Sequence, residues 1–402
     1  MQRFRSAVEV VTGLEPELPL ACLRPHAATR AARHFVERFP GTSFYAVKAN
    51  PEPLILDALW AGGIRAFDVA SIGEVAVIGD RFPDARMAFM HPVKSRSAIR
   101  RACFEYGVRD FALDSVAELH KILDETNGAA DLGLCVRIAV DNSDAVLALT
   151  RKFGAEGPEA VDLLRAARPH AARLGVCFHV GSQAMRPQAW RRGLEQARQL
   201  VERAGVTVDV LDVGGGFPAC YPGLEPPPLA DYFAVIEQMC AEMLPGIGRG
   251  DVWAEPGRAL VAEAGSLLTR VELRKGETLY LNEGTYGALF DAGAQGMVYP
   301  ARRIRLDGRP DPDGRVPFRL YGPTCDSLDA MAGPFWLPED TDEGDYVEFD
   351  MLGAYGTAMR TGFNGFESEP AVIIEDEPPR SMYSPIVGGH WPRADDAAGR
   401  AR

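Results

Sequence analysis

Short apolar runs separated by amphipathic stretches fill the first two-thirds of the chain. Runs rich in β-branched, aromatic and small residues predict strands at 44–48, 66–71, 87–91, 110–114, 134–140, 176–180, 208–213 and 252–254. Apolar residues at helical spacing predict helices at 25–39, 51–59, 74–78, 97–106, 116–124, 158–167, 189–204 and 229–244. Strands that alternate with helices must run parallel, because each return needs a crossover. Eight such units in about 210 residues fit a (β/α)₈ barrel, with a doubly wound open sheet as the competing architecture.

Beyond Gly257 the period changes to two, at 279–282, 318–321 and 345–350, with Gly-, Pro- and Asp-rich turns at 307–314 and 339–344. That pattern predicts an all-β C-terminal domain. The expected division is a barrel over 22–262 and a sheet domain over 263–402, to which 1–21 could contribute, packed together without a long linker. A small, polar tail over 388–402 is expected to be mobile.

Composition refines this picture only in part. At 402 residues, 47% hydrophobic and 25% charged, the chain is an ordinary globular protein long enough for two domains. Its apolar runs fall far short of the roughly 18 residues of a membrane span, and residues 1–6 do not open like a secretory leader. A formal charge of −13 argues against nucleic acid and mildly favours a cationic substrate. The seven cysteines are odd in number and form no C-x-x-C pair. Reduced thiols in a cytoplasm are expected, with neither a disulfide framework nor a metal site.

A barrel builds its active site where the strands end, and polar residues gather there. The first strand ends in Lys48. At an apolar strand mouth it would be desolvated, its pKa lowered and its amine made nucleophilic, unless it simply snorkels to solvent. The second strand contains Asp68, the fifth Arg137, and the sixth runs into His179-Val180-Gly181-Ser182. The seventh runs into Asp212-Val213-Gly214-Gly215-Gly216, and the eighth into Glu255-Pro256-Gly257-Arg258. Three successive glycines can form a backbone nest for an anion or merely a flexible turn; Ser182 and Arg258 nearby favour phosphate. His179 could be a core histidine or lie flat on an aromatic cofactor. Glu255 could hold a heteroaromatic N–H, a bond worth about 1.5–3 kcal/mol, or pair with Arg258. An imine-forming lysine, a phosphate nest and a carboxylate for a ring nitrogen together describe a pyridoxal-phosphate site.

These motifs resemble, in order, those of the fold-type III pyridoxal-phosphate enzymes, whose barrel is of the alanine-racemase kind. Within them the chain is most similar to the ornithine/diaminopimelate/arginine decarboxylase group, and to ornithine decarboxylase above all, over roughly residues 20–385. The resemblance implies that Lys48 carries the cofactor. It assigns Asp68, Arg137, His179, Ser182, Gly214 to Gly216, Glu255 to Arg258 and Tyr355 to the cofactor's surroundings. Tyr321-Gly322-Pro323-Thr324-Cys325-Asp326-Ser327 resembles the segment that reaches into the partner's site of a homodimer, where Cys325 would protonate the product carbon. Asp326 is the residue that ornithine enzymes carry there. Phe290 and Asp291 resemble the aromatic–Asp pair that, with Asp326, grips the distal ammonium; here the aromatic is Phe, and the spacing from Tyr286 is shorter. Two carboxylates would repel diaminopimelate. The implied reaction is decarboxylation of ornithine to putrescine, part of polyamine synthesis, with lysine or dual lysine/ornithine specificity as the alternative. An amino-acid racemase of the same fold and a non-catalytic relative are further alternatives. Racemases prefer an arginine at the ring nitrogen and inactive relatives tend to lose the lysine or cysteine, and neither feature fits this chain.

Overall fold

The computed structural model describes residues 1–148, 152–243 and 251–383. The polar tail over 388–402 lies outside the described residues. Eight parallel strands close into a barrel: Thr42–Ala46, Ala66–Val69, Arg86–Phe89, Asp110–Leu113, Gly133–Arg137, Arg173–Cys177, Val210–Asp212 and Val252–Ala254. Each pairs with the next in sequence, and Val252–Ala254 returns to Thr42–Ala46 through Trp253↔Thr42 and Ala254↔Ser43. The open sheet is thereby excluded. All eight expected strands are present, but seven of them stop earlier than the apolar runs do; the eighth ends at Ala254 as its run does. The first ends at Ala46, so Lys48 sits on a 3-10 turn, Val47–Ala49, and the sixth ends at Cys177, two residues before His179.

Helices start where the sequence supplies caps. Ser71, Ser95 and Ser115 each accept the N–H three residues on, opening Ile72–Arg81, Arg96–Glu105 and Val116–Glu125. Inside the barrel, Phe44, Cys135, Cys177, Val210 and Trp253 pack into one buried cluster. Below them Asp110 pairs with Arg86 at 3.0 Å and Arg173 at 2.7 Å. The barrel is therefore filled from beneath, and a ligand meets a floor at the strand ends. All seven cysteines are free thiols; Cys135 and Cys177 are buried and Cys325 is exposed.

The second region is a nine-stranded mixed sheet. Its long central strand, Gly265–Lys275, pairs with Thr278–Leu281, Tyr346–Phe349 and the N-terminal strand Leu20–Leu23. Residues near the start of the chain thus complete the sheet, and Arg3–Phe4 adds a parallel edge to Glu369–Ile374. Arg24, fully buried, ties this region together through Asp350, Glu348 and Asp376 at 3.0–3.3 Å.

Candidate active site

Register places the site's groups. Ala46 lies beside Asp68 in the barrel ladder, so Lys48, two residues on, stands over that carboxylate. Its Nζ is 3.0 Å from Asp68 Oδ2, and 44% of the side chain remains accessible. Burial works against the Lys48 charge. The Asp68 carboxylate, helped by Tyr355 and Glu255, outweighs it and holds the ammonium above the ordinary lysine range. The expected lowering through desolvation is thus corrected: a paired carboxylate reverses its sign.

Asp212 is bracketed in the ladder by Cys177 and Trp253, and His179 and Glu255 follow two residues beyond those neighbours. The His179 Nδ1 accepts the Gly181 N–H at 3.0 Å, so the ring proton belongs on Nε2. Burial, then Arg137 and Lys48, push the imidazole well below its usual pKa, leaving a neutral ring. Glu255 is pushed the other way, well above the ordinary carboxylate range, by burial and by the neighbouring Asp212 and Asp68 carboxylates, with Lys48 and Arg137 opposing.

The glycine run is shaped by close approach. A Cβ at Gly214 would lie 1.9 Å from Phe178 O, one at Gly215 2.6 Å from Glu255 O, and one at Gly216 2.3 Å from Gly181 O. Gly214 also has φ +67, which favours glycine. Its N–H is taken by Asp212 Oδ1 at 2.8 Å, which narrows the backbone nest to Gly215 and Gly216.

Lys48, Asp68, Arg137, His179, Ser182, Gly216, Glu255, Gly257, Arg258 and Tyr355 line one cavity of about 410 Å³, the structure's answer to ten of the positions expected from sequence. Gly214, Gly215 and Pro256 stand behind its wall, and Pro256 O accepts the Ala46 N–H at 3.2 Å. Three further placements accompany this convergence. Arg258 does not pair with Glu255; its Nη2 meets Asp291 at 2.9 Å, its Nη1 the Tyr221 hydroxyl at 3.2 Å, and its Nε the Ser182 Oγ at 3.4 Å. Asp291, on the short helix Phe290–Ala294, is thus buried as the counter-ion of Arg258, and neither it nor Phe290 lines this cavity. Cys325 and Asp326 also lie away from this cavity, on an exposed loop. There the Cys325 Sγ is 3.4 Å from Asn364 Oδ1, and Asp326 accepts the Tyr286 hydroxyl.

Sequence reasoning missed Met90, His91, Pro92, Lys152 and Phe153, which complete the cavity wall. Met90 and His91 end the apolar run at 87–91 and could have been found as the other rim residues were, whereas Lys152 and Phe153 lie on a loop whose composition carries no signal. Asp212 was legible as a carboxylate ending an apolar strand before three glycines. Among the described residues no group of three His, Cys, Asp or Glu could hold a metal ion, and no helix is long and apolar enough to cross a membrane.

An amine at the mouth, a cradle that only glycine can line, and a buried carboxyl across the floor fit pyridoxal phosphate: Lys48 for its aldehyde, Gly215, Gly216, Ser182, Arg258 and Tyr355 for its phosphate, Glu255 for its ring nitrogen. Fold and site together define a barrel-type pyridoxal-phosphate enzyme. The chain matches the pyridoxal binding domain of the pyridoxal-dependent decarboxylases over residues 26–262, and it belongs to that family. It is 37% identical to the lysine/ornithine decarboxylase of Selenomonas ruminantium over 346 residues, 83% of this chain and 84% of that protein. With the ornithine decarboxylase of Schizosaccharomyces pombe it shares 31% over 360 residues, 83% of this chain and 78% of that one. Among solved structures, the Vibrio vulnificus lysine/ornithine decarboxylase complexed with cadaverine superimposes with a TM-score of 0.77 at 29% identity, over 92% of this chain and 99% of that one. The protein is a pyridoxal-phosphate-dependent carboxy-lyase.

Proposed function

We propose that the protein decarboxylates a basic L-amino acid, ornithine before lysine, releasing carbon dioxide and a diamine, and that it does so as a homodimer with shared sites in the cytoplasm. The observation that carries this reading is the adjacency of an exposed thiol, Cys325, and a carboxylate, Asp326, on a loop outside the chain's own cavity. The pair suits a partner's cavity: the thiol for returning a proton to the product carbon, the carboxylate for a distal ammonium. The names of the relatives, which include ornithine and lysine/ornithine decarboxylases, support the same class.

Bound pyridoxal phosphate supplies the electron-poor ring that accepts the electrons of the breaking bond. The chain's residues do the rest. Lys48 holds the cofactor, with Asp68 as its proton partner. Glu255 provides the ring nitrogen with a proton. His179, neutral and fixed by Gly181, offers a flat face to the ring without adding positive charge beside it. Arg137 and Phe153, whose guanidinium and ring lie 5.5 Å apart, form one side of the cavity.

Lysine stays as the second reading because Asp291 is spent on Arg258, which leaves one carboxylate, Asp326, to measure side-chain length. Carbon dioxide release from ornithine, lysine, arginine and diaminopimelate decides between them. Ornithine is expected to have the highest kcat/KM; equal or better turnover of lysine would remove the ornithine assignment, and racemisation without carbon dioxide would remove the reaction itself.

A further inference from the structure

Tyr221 is fully buried, on the loop that follows the glycine run. The local sequence builds that loop. Tyr221-Pro222-Gly223-Leu224 closes a tight turn, in which Leu224 N–H bonds to Tyr221 O at 2.9 Å and Tyr221 N–H to Leu224 O at 3.1 Å. Proline sets the first corner, and Gly223 supplies φ +76 at the second. Two residues upstream, Ala219 is gripped by Gln183, whose amide donates to Ala219 O at 2.5 Å and accepts its N–H at 3.0 Å. Gln183 follows Ser182, so the loop is fastened beside a residue read above as a phosphate partner.

From this anchored loop the phenol reaches Arg258. Its oxygen accepts from Arg258 Nη1 at 3.2 Å, and its O–H donates to Met351 O at 3.4 Å. It can do both only while protonated, and burial raises its pKa against the pull of Arg258. Tyr299 packs edge-on to the ring, with centroids 5.5 Å apart at 90°. Arg258 is thereby held at three nitrogens, Nε by Ser182, Nη1 by Tyr221 and Nη2 by Asp291. The ion pair at Nη2 alone would leave the guanidinium free to turn about that contact. A second contact at Nη1 fixes its plane, and a planar fork recognises phosphate only in a defined plane.

We propose that Tyr221 is a positioning residue for the phosphate end of the cofactor: its hydroxyl fixes the plane of the Arg258 guanidinium before the phosphate arrives. Tyr221 is not part of the cavity wall and acts through Arg258. A preset fork has less freedom to lose when the phosphate binds. The inference rests on Arg258 facing the cofactor phosphate, as the site is read above.

Tyr221→Phe keeps the ring and its contact with Tyr299 and removes only the hydroxyl. Cofactor-free protein is titrated with pyridoxal phosphate and with pyridoxal, which has the same aldehyde and ring nitrogen but no phosphate. The variant is expected to bind pyridoxal phosphate about tenfold more weakly, the worth of one hydrogen bond to a charged group, with pyridoxal affinity unchanged. No loss, or an equal loss for both ligands, overturns the proposal, since a merely structural role would not tell them apart. Arg258→Gln combined with Asp291→Asn removes the guanidinium without stranding a buried carboxylate. If that double variant loses pyridoxal phosphate no more than pyridoxal, Arg258 does not face the phosphate, and the placement of the cofactor falls with the inference. If it is phosphate-selective while Tyr221→Phe is not, only the role of Tyr221 is lost. Added to the double variant, Tyr221→Phe should have no further effect. A further phosphate-selective loss there would mean that Tyr221 does not act through Arg258, and would overturn the positioning role.

Discussion

The Arg258 guanidinium and the Asp291 carboxylate meet at 2.9 Å with only 3% and 8% of their side chains exposed. One belongs to the barrel and the other to the sheet region, so the pair joins the two behind the cavity. Removing one partner of a buried pair strands the other charge, at a cost of about 3–5 kcal/mol. Asp291→Ala is expected to lose stability of that order in urea unfolding, while the KM for substrate stays near the wild-type value. A large rise in KM at full stability would return Asp291 to the substrate.

Lys48 is held charged by Asp68. A raised folded-state pKa means that the pair's contribution to stability is present at neutral pH and fades as pH rises through the folded value. Asp68→Asn should remove that alkaline loss. In cofactor-free protein it should also let Lys48 react with trinitrobenzenesulfonate at lower pH, read by mass spectrometry of the Lys48 peptide. Identical pH profiles for the two proteins would show that Asp68 does not set the charge of Lys48.

Lys94 is fully buried behind the cavity wall formed by Met90, His91 and Pro92. Its Nζ donates to His91 O at 2.8 Å and Ala112 O at 2.6 Å, and it pairs with Glu118 at 3.1 Å. Burial pushes its pKa down to about 8, Glu118 opposing and Lys121 assisting. Between that value and the ordinary lysine value the unfolded chain holds a proton that the folded one has shed, so Lys94 makes stability rise with pH there. Lys94→Met should abolish this rise and cost about 3–5 kcal/mol at neutral pH, because Glu118 then loses a buried ammonium and keeps Lys121 and the backbone N–H of position 94. Urea unfolding across pH 7–10 measures both effects.

Sharing of sites has a direct check. Lys48→Ala disables the cofactor end of a site, and Cys325→Ala the loop expected to enter it from a partner. Each variant alone is expected to be nearly inactive. Mixing the two under conditions that exchange subunits should restore decarboxylation, since one hybrid site then has both residues. No recovery despite proven exchange would place Cys325 in the site of its own chain.

Much of this was readable along the chain. The eight barrel strands follow from apolar runs whose only stable partner is another such run, and the rim residues follow from where those runs stop. Lys48, Asp68, Arg137, His179, the glycines and Glu255 were found this way because each sits within a few residues of a strand end. Lys152 and Phe153 were not, since a loop residue's direction depends on what the loop packs against rather than on any period; His91, two residues past the strand Arg86–Phe89, met the same criterion and was passed over.

The sequence alone determined the alternation of strands and helices and the chemical kinds of group at the strand ends, because periodicity and strand ends are local properties. Closure into a barrel over an open sheet was decided by the pairing of the last strand with the first. Only the tertiary structure decided which charge neutralises which. Asp68 raises the pKa of Lys48 where desolvation alone would lower it, Asp291 pairs with Arg258, and Arg24 gathers Glu348, Asp350 and Asp376 around one buried guanidinium. Electrostatic partners are set by distances of about 3 Å between segments tens to hundreds of residues apart, and burial magnifies each such contact.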